Sequence, residues 1–202
     1  MSFYENDSSF SLDTTSLDST EKLGSGLWLV LVGINEIPPH IALISEGKYY
    51  SLSARKVDCG TSLERLTNTL ERKQIPTLFV NIEEKTTESA NAIASSDNYR
   101  GEAIPVKSLQ KIYKDLQPLG NSENTCLSPI KDFFAECYSR EFTRISYVFE
   151  LLALCEKKGL LKECLSLYAE NTNSNRITLP KYTMAQIRNK INTLSTPITV
   201  IK

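Results

Sequence analysis

This chain of 202 residues contains one histidine, one tryptophan and two methionines. It has no apolar stretch of 18 residues, so the sequence offers no transmembrane helix. It has no CxxC pair, and its five cysteines (Cys59, Cys126, Cys137, Cys155, Cys164) are an odd set. That disfavours a disulfide framework and a zinc site. It has no charge excess either. Lys and Arg number 23 against 24 Asp and Glu, a net charge of −1. Nothing in that balance argues for nucleic acid or an anionic membrane surface. No Gly-rich loop suits a phosphate, and no HExxH or paired-carboxylate pattern is present. The expectation is therefore no cofactor and no metal. The N-terminus Met1-Ser2-Phe3-Tyr4-Glu5 lacks the basic and apolar regions of a secretion signal. A cytoplasmic protein with mostly free thiols is expected, with export by a route that needs no cleaved signal as the alternative.

What is present is an ordinary globular composition, 41% hydrophobic and 23% charged. Residues 1–25 are rich in Ser, Thr and Asp. They carry Glu5, Asp7, Asp13, Asp18 and Glu21 against Lys22, and read as a disordered acidic arm. Residues 26–202 read as a single α+β domain, with a sheet-rich part over 26–82 and a helical part over 106–194. The fold class is a small antiparallel sheet in the N-terminal half, packed by a mostly helical C-terminal half.

In the sheet-rich part, Leu27–Val32 is a continuous apolar run short enough for a buried strand. Pro38-Pro39 breaks the chain. His40–Ser45 and Lys48–Ser53, joined across Glu46-Gly47, read as a hairpin. Thr61 with Glu64 has capping-box spacing ahead of a Leu63, Leu66, Leu70 stripe. Thr77–Ile82 is another strand. Trp28 reads as core. The polar stretch 83–104 reads as a loop, with a weak helix over Thr87–Ala94.

Helical patterns follow over Val106–Leu116, over Ile130–Cys137 and over Phe142–Cys155, the last stopped by Lys157-Lys158-Gly159. Leu160–Tyr168 reads as a further short helix. With the one before, it forms a pair with room for a partner-binding groove. Thr183 caps a helix through Leu194, and Pro197–Ile201 reads as an edge strand.

The chemistry-bearing residues are His40 and one cysteine. Imidazole is the side chain whose unperturbed pKa lies near neutrality. A thiolate is the working nucleophile, and a helix N-terminus or a neighbouring imidazolium favours it. Cys126 precedes the helix expected from Ser128-Pro129. Cys137, Cys155 and Cys164 fall on apolar helical faces, and Cys59 falls in a turn. Cys126 is thus the best candidate by elimination, with Cys59 second.

The chain order matters too: strand, His40-Ile41-Ala42-Leu43-Ile44, the strand from Lys48, the Leu63–Leu70 helix, Thr77–Ile82, then Asn124-Thr125-Cys126-Leu127. It resembles the circularly permuted papain-like proteins, the NlpC-type and lecithin retinol acyltransferase-like group, over about residues 26–140. The resemblance implies a thiol hydrolase or acyltransferase acting on a protein or small amide or ester. Cys126 would be the nucleophile, His40 the base, and Ser51 or Tyr50 the ring-orienting group. The sequence departs from the family in having Pro39 before the histidine and no carboxylate orienter. The alternative expectation is a non-catalytic interaction module, an adaptor or effector that binds a protein partner through the helical half.

Overall fold

The computed structural model describes residues 10–83, 104–119, 124–169 and 175–196. In chain order its strands and helices begin with β1 (Ser11–Asp13), β2 (Thr15–Ser16), β3 (Leu27–Val32), β4 (His40–Ser45), β5 (Lys48–Leu52) and β6 (Val57–Ser62). Next come α1 (Leu63–Lys73), β7 (Thr77–Ile82), α2 (Ile104–Tyr113), α3 (Ser128–Cys137) and α4 (Val148–Lys157). The last described elements are β8 (Leu161–Leu167), β9 (Arg176–Thr178) and α5 (Met184–Ser195). Short 3-10 turns occupy Thr20–Gly24 and Arg140–Arg144.

The class is α+β. The sheet, however, is large and mixed. Seven strands run in the order β2-β8-β7-β3-β4-β5-β6, and β1 pairs separately with β9. All pairs are antiparallel except β2 with β8. Strand β3 sits between β4 and β7 with six paired residues on each side. Its unbroken apolar run follows from burial on both faces. On one face Leu29, Leu31, Ile41, Leu43 and Val80 join Leu109, Phe133, Phe134, Leu151 and Leu152 from α2, α3 and α4. On the other face Trp28, Val30, Ala42, Ile44 and Phe79 join Leu70 of α1. Trp28 is core, and its indole N–H donates to the Ser25 carbonyl at 2.8 Å.

The β4–β5 hairpin turns on Glu46 and Gly47, both at positive φ. That is the geometry a two-residue hairpin needs. A Cβ at Gly47 would also meet the Gly24 carbonyl oxygen at 3.3 Å.

Several sequence expectations are corrected. Leu161–Leu167 is a strand, not a helix, because it pairs with β7 from Thr77 to Ile82. The expected helical pair over 151–168 is therefore not formed, and the C-terminal half supplies part of the sheet. Residues 10–25, expected as part of a disordered arm, carry β1, β2 and a 3-10 turn. Leu12 and Leu17 in that stretch are buried. Val57–Ser62 is a strand, so Cys59 lies in β6 and not in a turn. Thr61 does not cap α1: the N-cap is Ser62, and Thr61 Oγ1 donates to Asp58 Oδ1 at 2.9 Å. The helix expected over Phe142–Cys155 begins only at Val148. Residues 1–9, Thr87–Ala94 and Pro197–Ile201 lie outside the described residues. No described helix is long and apolar enough to cross a membrane.

Candidate functional site

His40 opens β4 opposite Val32 of β3. Alternation puts His40 and Ser51 on the α1 side of the sheet. The ring Nε2 and Ser51 Oγ are hydrogen-bonded at 2.8 Å. Ser51 is 2% exposed, so its hydroxyl is committed to the interior. The Tyr49 phenol also lies beside Ser51. Tyr50 points to the opposite face, where its ring stands edge-on to Tyr113 with centroids 5.7 Å apart. The structure thus brings Ser51, and not Tyr50, to the imidazole.

Cys126 lies just before α3. Leu127 is the N-cap and Pro129 stands in the first turn. Two hydrogen bonds fix this entry: Thr125 N–H to Ser128 Oγ at 2.9 Å and Ser128 N–H to the Thr125 carbonyl at 3.0 Å. The sulfur is faced by the backbone N–H groups of Ile41, Cys126 and Leu127. The Ile41 amide is the one joined to His40. The start of α3 thereby lies near the start of β4, but the His40 ring faces the α1 side of the sheet while Cys126 packs with the cluster on the other face. The ring's hydrogen bond goes to Ser51, and the sulfur's polar neighbours are amides.

Both groups are neutral at rest near pH 7. Burial lowers the His40 pKa to about 4, and the nearby Lys190 ammonium adds to that shift against opposing pulls from Asp58 and Glu36. Burial raises the Cys126 thiol above its usual range, while the Ile41 amide, its own amide, Lys190 and the Leu127 amide pull the other way. The four other thiols are also pushed up by burial. Cys155 reaches about 12 and Cys164 about 11. Cys126 alone among the five has the amides of a helix start around its sulfur. Cys164, expected on a helical face, lies in β8.

A cavity of about 230 Å³ opens between α1 and the sheet. His40, Tyr49 and Asp58 line it together with apolar side chains such as Leu66 and Leu70. Asp58 is already engaged by Lys56 and Thr61. Among the described residues no group of three His, Cys, Asp or Glu side chains could hold a metal ion. No protein-family model, curated protein or solved structure matches the chain.

Sequence reasoning missed Tyr49 and Lys190. The signal for Tyr49 was available, because it shares strand parity with Ser51 and Tyr50 does not. Lys190 carries no local signal. It reaches the site across 154 residues of sequence through Glu36.

Proposed function

We propose that this protein is a papain-like thiol hydrolase or acyltransferase acting on an amide or ester. Cys126 Sγ attacks the carbonyl carbon, and its proton passes to His40. Collapse of the adduct breaks the C–N or C–O bond, and His40 returns the proton to the leaving group. Water, or an acceptor hydroxyl or amine, then resolves the thioester. Amide N–H groups at the start of α3 face the position where the oxyanion develops. Ser51 holds the ring.

The observation that carries this reading is the position of Cys126 at the entry to α3, with the Ile41 amide that follows His40 among the groups that lower its thiol pKa against burial. A neutral pair at rest suits it, since the imidazole must be unprotonated to accept the thiol proton. Catalytic hydrogen bonds commonly tighten only when substrate binds. The apolar stripes of α3 and α4 also lie in the core, so they offer no ready docking face. Among the described residues the exposed large hydrophobics are Ile37, Tyr168, Met184 and Leu194.

The second reading is a non-catalytic interaction module. The raised Cys126 thiol favours it, because buried inert thiols behave this way. Iodoacetamide labelling at pH 6 to 7, read by peptide mass spectrometry, separates the two. Under the enzyme reading Cys126 labels fastest of the five, and His40→Ala slows it by roughly tenfold. Uniform slow labelling with no effect of His40→Ala rejects the enzyme reading in favour of the module.

A further inference from the structure

Helix α1 covers its face of the sheet incompletely. Its apolar stripe is Leu63, Leu66 and Leu70, but only Leu70 of the three is buried. Leu63 and Leu66 are half-buried. Beneath the helix lies the cavity of about 230 Å³ that His40 also lines. Its walls are apolar: Val32 from the end of β3, Leu66 and Leu70 from α1, and Ile75 from the segment that leads to β7. A space of this kind suits an apolar body the size of a single ring, since an apolar cavity of about 150 Å³ already takes benzene.

The rest of the lining is polar and unevenly charged. Ser62 and Arg65 stand one helical turn apart at the start of α1, and both line the cavity. Residues at this spacing share a helix face. Ser62 is the N-cap, yet its side chain makes no cap hydrogen bond. Arg65 is exposed, and among the described residues its guanidinium makes no hydrogen bond or ion pair. The other two charges of the lining cancel. Lys56 is paired with Asp58, which also accepts from the Thr61 hydroxyl at 2.9 Å. His40 is neutral near pH 7, because burial lowers its pKa to about 4. Arg65 therefore leaves this lining with one positive charge in excess and no partner for it.

We propose that this cavity binds a small monocarboxylate with an apolar body, of the size of an arylacetic or branched short-chain acid. The apolar body lies against Leu66, Leu70, Val32 and Ile75. The carboxylate accepts from the Arg65 guanidinium and the Ser62 hydroxyl. A guanidinium presents two parallel donors, the geometry a carboxylate takes. A neutral ligand of the same shape forgoes that charge-assisted pair, and a cation is repelled by Arg65. A second carboxylate on the ligand is opposed by Asp58. The site goes beyond the thiol hydrolase or acyltransferase reading and does not rest on it. Cys126 packs with the cluster on the other face of the sheet, and no bond is made or broken in this cavity.

The test titrates phenylacetate, and its neutral counterpart phenethyl alcohol, into the full chain at about pH 7.5, where a carboxylic acid is ionised. Binding is followed through the backbone amide shifts by NMR, residue by residue. Phenylacetate should shift Val32, Leu66 and Leu70 saturably, with a Kd below about 1 mM, and leave Leu151 and Leu152 on the other face unmoved. Phenethyl alcohol should bind about fivefold more weakly. Arg65→Gln should weaken phenylacetate about fivefold and leave phenethyl alcohol unchanged. Leu66→Phe fills the cavity and should abolish binding of both. Arg65 is exposed, so its variant keeps the test decisive even where Leu66→Phe disturbs the fold. No saturable shift at about 10 mM phenylacetate overturns the site, as do shifts centred away from α1. Equal affinity for the two probes, or indifference to Arg65→Gln, overturns the carboxylate assignment. None of these readouts involves Cys126, so failure of the thiol reading shows only in the labelling experiment.

Discussion

The centre of the sheet and its His40 end are built from the same strands and held by opposite means. At the centre, Leu29, Val30, Ile41, Leu43, Phe79 and Val80 are fully buried, with helices or a 3-10 turn covering both faces. At the end, two residues along β4, the interior is a histidine, a serine hydroxyl and a tyrosine phenol. An ion-paired lysine closes it. The difference shows how an apolar core serves a polar site. Strand register, fixed where burial is complete, delivers His40 and Ser51 to one place without strong contacts of their own. The sharpest way to break this comparison is Phe79→Ala. It should cost about 3 to 5 kcal/mol, by lost transfer energy and by the cavity left behind. Denaturant unfolding measures it. A loss below about 1.5 kcal/mol would mean that the centre is not where stability resides.

The same contrast explains what was legible in the sequence. β3, β4, β5 and β7 are apolar runs of strand length, and the α3 stripe at Ile130, Phe133, Phe134 and Cys137 is periodic. Complete burial writes a strong pattern. β8 does not. Leu161, Lys162, Glu163 and Leu165 are good helix formers, and pairing with β7 overrides them. Its alternation at Leu165 and Leu167 is two residues long, too short to outweigh that bias. β6 has one aliphatic residue, Val57, and Gly60 at positive φ beside a register shift. At the candidate site His40, Ser51 and Cys126 stand out by residue type and position. The Ile41 amide and Lys190 do not, since both arise from tertiary docking of distant segments.

Acid should act on the end and not on the centre. His40 has a folded-state pKa of about 4 against 6.5 for an unperturbed imidazole. The unfolded chain therefore binds the proton first as pH falls. The stabilisation is complete above about pH 6.5 and is lost progressively between there and pH 4. Over that range His40 should account for on the order of 2 to 3 kcal/mol. The check is urea unfolding at pH 7.5 and 4.5 for wild type and His40→Gln. Wild type should lose more stability than the variant. Equal losses would show that burial does not hold the imidazole neutral.

The smallest expected effect separates the two hydroxyls that flank the site in sequence. Ser51→Ala removes the 2.8 Å partner of the His40 ring. It leaves a half-buried ring nitrogen without that bond, which should cost about 1 to 2 kcal/mol. Tyr50→Phe touches the other face of the sheet, so it leaves the imidazole's hydrogen bond intact. If Ser51 orients the base, Ser51→Ala lowers the His40-dependent part of Cys126 labelling at pH 6 to 7. Tyr50→Phe, by contrast, leaves that part unchanged. A structural Ser51 would show the stability loss alone, with the His40 dependence preserved. The labelling difference between these two variants therefore decides whether the polar end of the sheet is organised for chemistry or only for packing.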